Sequence, residues 1–218
     1  FVIPAANEER EVQLKALLQE HGKGLPITLI KGNSHQVMVA ADMVLMADKV
    51  ENAWSFDAQD IKAAFEFDGM SVDYNDPMTP VTKGKGRGTF DNTQEKITIH
   101  IESAKVGGLD VAKADLEFVE IIAKGKGVAD INVTLNGPLA DVIAYVSKEP
   151  IGLEHDFPLD QVRGAADLSV NVVFPAVDDI KIEDVKVYVK GTARDVNLPG
   201  VVGDLTLGSG PYDVLIKD

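Results

Sequence analysis

Apolar and polar residues alternate with period two along most of this chain, which predicts a long antiparallel meander with one apolar and one polar face. Ile61, Ala63, Phe65 and Phe67 fall on one side, with Lys62, Glu66 and Asp68 mostly on the other. Ile97, Ile99 and Ile101 alternate with Thr98, His100 and Glu102. Ile131, Val133 and Leu135 alternate with Asp130, Asn132 and Thr134. Leu168, Val170, Val172 and Phe174 follow, and then Val185, Val187 and Val189 against Lys186, Tyr188 and Lys190. The tail repeats the pattern at Leu205 and Leu207 and at Tyr212, Val214 and Ile216. Asp68-Gly69 and Gly107-Gly108 read as two-residue hairpin turns.

Two stretches have helical spacing instead. Asn7 to Gly24 has an N-cap residue, acidic residues in its first turn and an apolar stripe of Val12, Leu14, Leu17 and Leu18, predicting a helix over about 7–22. Pro138 to Lys148 has Leu139, Val142, Ile143 and Val146 at three-to-four spacing, with Glu149-Pro150 as the stop. The chain thus divides into 1–52, an N-terminal helix plus a strand segment, and 53–218, the β-meander.

The stretch VTKGKGRGTF (Val81 to Phe90) has the composition of a phosphate-gripping loop, echoed by AKGKGVAD at 123–130. Such a loop needs a strand before it and a helix N-terminus after it. Both stretches run into strands, and glycines at 84, 86 and 88 match neither phosphate-loop spacing. The expectation is a solvated turn.

Composition narrows the function classes. The formal net charge of −14 disfavours nucleic-acid and anionic-lipid surfaces as partners. The absence of cysteine excludes disulfides, thiolate zinc sites and cysteine nucleophiles. The longest apolar stretch, Gln36 to Ala47, is broken by Asp42 and is too short to span a bilayer. With no initiator methionine at Phe1, the chain reads as a fragment or a mature form.

Candidate chemistry is sparse. His21, His35, His100 and His155 share no ligand spacing. Asp178, Asp179, Glu183 and Asp184 lack a calcium-loop arrangement and read as a solvated acidic turn. No nucleophile elbow or zinc-protease helix occurs. Trp54 reads as a buried residue at the start of the sheet. No catalytic residue, metal ligand or cofactor is expected, and the chain reads as a non-enzyme.

From about Trp54 onward the chain resembles the AsmA-like proteins of the Gram-negative envelope, in particular the central region of the YhdP-type members. The likeness is carried by FEFDGMSVDYNDPMTPV (Phe65 to Val81) and GRGTFDNTQEKITIHIESAKVGGLDVAKADLEF (Gly86 to Phe118). It continues in LNGPLADVIAYVSKEPI (Leu135 to Ile151) and VRGAADLSVNVVFP (Val162 to Pro175). The resemblance implies an elongated β-groove with a lipid-compatible trough, in a periplasmic segment of a longer parent chain anchored in the inner membrane. It implies phospholipid acyl chains as partners, and a non-enzymatic part in phospholipid transport between inner and outer membranes and in outer-membrane biogenesis.

The side chains expected to line such a strip are Ile97, Ile99, Ile101, Ile131, Val133 and Leu135, together with Val170, Val172, Val185, Val187 and Val189. The competing expectation is a structural or adhesive β-sandwich that binds protein partners and seals the same side chains in a core.

Overall fold

The structure is a computed structural model that describes residues 27–48, 53–74, 76–121, 126–149, 151–177, 180–202, 205–208 and 210–217. The helix expected over 7–22, and with it His21, lies outside the described residues, as do Asp178 and Asp179. The strands are β1 (Ile27–Asp48), β2 (Ala53–Tyr74), β3 (Val81–Asp91), β4 (Lys96–Val106), β5 (Leu109–Val119), β6 (Val128–Pro138), β7 (Arg163–Pro175), β8 (Lys186–Val202), β9 (Leu205–Gly208) and β10 (Pro211–Lys217). All belong to one antiparallel sheet in chain order from β1 to β8; β10 then pairs with β8, and β9 also pairs with β8. The described strands therefore do not form a two-sheet sandwich. Gly107-Gly108 is the tight turn joining β4 to β5, as expected.

The expected internal helix is present as α1 (Leu139–Val146). Pro138 is the last residue of β6 and stands at the N-cap with φ −59° and ψ 136°, so it ends the strand rather than opening the first helical turn. Beyond the other end, Ser147 Oγ donates to the Ile143 carbonyl at 2.8 Å. Ile143 is the helix's buried residue.

Two turn expectations were wrong. Asp68-Gly69 is not a hairpin: β2 continues from Ala53 to Tyr74, and the register slips between Phe67 and Met70 against β3. Gly69, at φ 68°, absorbs the extra residue in the left-handed conformation, which glycine adopts without steric cost. Pairing on both sides overrides the local turn chemistry here.

VTKGKGRGTF is likewise not a turn but nearly all of β3, flanked by β2 and β4. Gly84, Gly86 and Gly88 are buried, while Lys83, Lys85 and Arg87 between them are exposed. Phe65 pairs with Gly88 and Phe67 with Gly86. A Cβ on Gly88 would lie 2.4 Å from the Phe65 ring, and one on Gly86 would lie 2.9 Å from the Phe67 ring and 2.1 Å from the His100 carbonyl oxygen. The glycines are slots into which two aromatic rings fold.

Register shifts between Phe67 and Met70, Thr82 and Lys85, and Val111 and Lys113 fall at nearly one level of β2, β3 and β5. Bulges raise the local twist and bend the strands they interrupt. Gly86→Ala should therefore destabilise the fold by about 1–3 kcal/mol, because the added carbon meets backbone that cannot turn aside. Lys85→Ala, on the exposed side of the same strand, should cost under about 0.5 kcal/mol. Urea unfolding of both variants checks the contrast, and equal costs would return the stretch to a solvated loop.

Candidate functional site: the apolar face of the sheet

The register sets the inward side chains in rows that run across the strands. One row is Phe65, Gly88, Ile99, Leu116, Ile131, Val172 and Val187. The next is Phe67, Gly86, Ile101, Ala114, Val133, Val170 and Val189. On one side of this pair Ile97 sits between Phe90 and Phe118; on the other Leu135 sits between Val111 and Leu168. All the expected lining residues except Val185 thus share one face of adjoining strands. Val185 precedes β8, just after a 3-10 turn at Ile182–Asp184.

Coverage of this face is uneven. Leu139 and Val142 of α1 pack against the buried cluster of Ala166, Leu168 and Val189, which also gathers Leu135, Val170 and Val187. A second buried cluster, Ala104, Val111 and Ala114, gathers Ile101, Leu116 and Val133. Away from α1, Ile97, Ile99, Leu116, Ile131, Val172 and Val187 are half-buried, and Phe118 and Ala129 at the far border are buried again. A half-buried aliphatic band therefore crosses the middle strands, with buried residues at Phe118 and Ala129 on one side and at Ala114, Leu168 and Val189 on the other. Leu116, at the centre of the band, was not among the expected lining residues. Its signal was the spacing of Ala114, Leu116 and Phe118, two residues apart in β5.

Helix α1 is tied to the sheet at its polar points. The Tyr145 and Tyr74 hydroxyls are 2.8 Å apart, joining α1 to the end of β2. Lys148 Nζ donates to Thr79 Oγ1 at 2.8 Å. The Asp141 carboxylate lies against Gly108, where a Cβ would come within 2.2 Å of it. Burial pushes both phenols above their ordinary range, and for Tyr74 the neighbouring Tyr145 adds to the shift.

The opposite face is a polar ladder. His100 Nδ1 meets Asp115 Oδ1 at 2.6 Å, Lys96 pairs with Glu117 at 2.8 Å and Lys105 with Asp110 at 2.6 Å. Asn171 donates to both Asp130 at 2.6 Å and Asn132 at 3.0 Å. His155, in the loop after α1, stacks on Phe157, while His35 and Trp54 lie within β1 and β2. Among the described residues no group of three or more histidine or acidic side chains is placed to hold a metal ion, and no helix is long and apolar enough to cross a membrane.

Comparison with known proteins corrects the expected function. A lipid-A-disaccharide synthase of Hahella chejuensis is 53% identical over 47 residues, covering 22% of this chain and 12% of that protein. The lipid-A-disaccharide synthase of Pseudomonas putida strain W619 is 49% identical over 47 residues, with the same coverage of each chain. That of Alteromonas mediterranea is 48% identical over 50 residues, 22% of this chain and 13% of its own. The match thus spans about an eighth of the length of these relatives. They are named for an enzyme of lipid A synthesis and not for a transport protein, so the expectation of phospholipid transport between the membranes and of outer-membrane biogenesis is set aside. No family model and no solved structure matches the chain.

The tyrosine pair gives a pH test of how α1 is held. Below the ordinary phenol pKa of about 10 both hydroxyls are neutral in the folded and unfolded chain, and the bond contributes in full. Above it the unfolded chain ionises first, so the contribution falls as pH rises. Tyr145→Phe should cost about 0.5–1.5 kcal/mol at neutral pH, and Tyr74→Phe with Tyr145→Phe should flatten the alkaline loss of stability. Denaturant unfolding from pH 7 to pH 11 reads both; an alkaline slope unchanged in the double variant would assign that loss to other groups.

Proposed function

We propose that this chain is a non-enzymatic, AsmA-like β-sheet segment of the periplasm whose apolar face binds acyl chains. The observation that carries the reading is the half-buried band of Ile99, Leu116, Ile131, Val172 and Val187, a cross-strand run with no fully buried member, flanked by rows in which Ala114 and Val189 on one side and Phe118 and Ala129 on the other are buried. Five strands at about 4.8 Å spacing make that row about 19 Å long. Its side chains offer no hydrogen-bond donor or acceptor. A peptide laid on it would leave its own backbone groups unpaired, whereas a hydrocarbon chain loses nothing and gains about 25 cal/mol per Å² of apolar surface removed from water. The AsmA-like part of the reading rests on the motif succession from Phe65 to Pro175, the stretch that builds most of β2 through β7. Movement of lipid from one membrane to another is no part of it.

The test is lipid extraction and native mass spectrometry of the purified chain, followed by titration with a fluorescent fatty acid. Wild type should carry or bind the acyl probe. Val172→Glu should remain folded, its carboxylate reaching water from the open band, and should lose the probe. Cooperative unfolding of Val172→Glu at room temperature would mean the carboxylate is buried without a partner, at a cost of several kcal/mol, and that the band is part of a sealed core.

A further inference from the structure

The geometry points to the outer edge of β10, which no other described strand takes, as a self-pairing interface for β10 of a second copy of this chain. β10 bonds to β8 on one side through seven consecutive pairs, Pro211 with Arg194 to Lys217 with Tyr188, without a register shift. A strand paired so regularly presents a straight outer edge of backbone donors and acceptors, which is a template for a further strand. The sheet's other border differs. The pairing of β1 with β2 is broken by four register shifts, and Gln36 in β1 has a positive φ, so that edge is twisted out of line for pairing. β10 also exposes what an interface would cover: Leu215 is 68% and Ile216 53% accessible.

The sequence PYDVLIK is suited to its own antiparallel copy. A two-fold axis at Val214 sets Val214 opposite Val214, Tyr212 opposite Ile216, Asp213 opposite Leu215 and Pro211 opposite Lys217. The aromatic and β-branched pair is a favourable cross-strand combination, and no like charges face each other. Such a contact is isologous and closes at two copies, so it gives a dimer rather than a fibre. With the axis perpendicular to the sheet, both apolar faces lie on the same side and run on into one another past Val189 and Ile216, which are paired. The inference stands whether or not that face binds acyl chains.

Because the chain has no cysteine, one introduced thiol reports the register without ambiguity. Opposed Cα atoms in an antiparallel pair lie about 4.5–5.5 Å apart, within disulfide reach. Sedimentation of the wild-type chain should give a dimer of the 23.4 kDa protomer. Val214→Cys should form a disulfide-linked dimer on mild oxidation, and Asp213→Cys, diagonal to its own copy, should form far less. Asp213→Lys with Leu215→Lys, which sets like charges opposite each other on both sides of the axis, should sediment as a monomer with an unchanged circular-dichroism spectrum. A monomeric wild type, a dimer that survives both lysines, or a dimer in which Val214→Cys does not cross-link would overturn the proposal. If the lysine variant fails to fold, the cross-linking contrast alone decides it.

Discussion

The structure depends on register. From Val128 with Pro175 to Pro138 with Ala165, β6 and β7 pair without a single shift, and β8 continues that pairing through Val170 with Val189 and Val172 with Val187. Because side chains alternate strictly, a one-residue slip in any of these ladders would send Ile131, Val133, Val170 and Val172 to the polar side. It would also bring Asp167 or Ser169 under α1 in place of Leu168. The apolar band, the seat of the helix and the polar ladder are three consequences of one alignment. At the slips near Gly69, Lys83 and Ala112 the extra residue is absorbed locally and the inward set resumes on the same face.

Helix α1 could not stand without that face. Eight residues are too few for a helix to persist in water, since the first turn fixes several residues for one hydrogen bond. Its stability comes from laying Leu139 and Val142 on Ala166, Leu168 and Val189, and from the two tyrosines and Lys148, which fix its position over the end of the sheet. The helix covers only the rows nearest Pro138. In the rows it covers Ala166, Leu168 and Val189 are buried, whereas in the next row Ile99, Leu116, Ile131, Val172 and Val187 are all half-buried. That contrast gives the face a candidate site as well as a core.

Much of the sheet could be read from the residues, because β4, β6, β7 and β8 write their inward positions in isoleucine, valine and leucine. β3 could not be read the same way. Its inward positions are Gly84, Gly86 and Gly88, which carry no hydrophobic signal, and their role depends on Phe65 and Phe67 in another strand. The trace that remained was the outward alternation of Lys83, Lys85 and Arg87, itself a strand pattern that resembles a basic loop when the glycines are taken as flexible. Asp68-Gly69 misled for the opposite reason: its local chemistry suits a turn, and only pairing with β1 and β3 on either side shows why the chain runs straight on. The uneven burial of the face was beyond the sequence altogether, since Val172 and Leu168 look alike until α1 covers one of them.

Alternation alone specifies register only to the nearest two residues, because a two-residue slip keeps every side chain on its face. Something else must exclude that error. In β4 and β5 the observed alignment sets His100 opposite Asp115 and Lys105 opposite Asp110. A two-residue slip in one direction would bring Glu102 opposite Asp115, and in the other would part Lys105 from Asp110. Between β2 and β3 a slip in one direction would drive Phe65 against Phe90, where no glycine makes room. The bulge at Gly69 opposes displacement the other way, because it fits only where Met70 meets Gly84. Each exposed ion pair is worth at most about 1 kcal/mol, so the polar face adds little to stability. Its contribution is to choice: small penalties repeated across several ladders separate one alignment from near neighbours that the apolar face cannot distinguish.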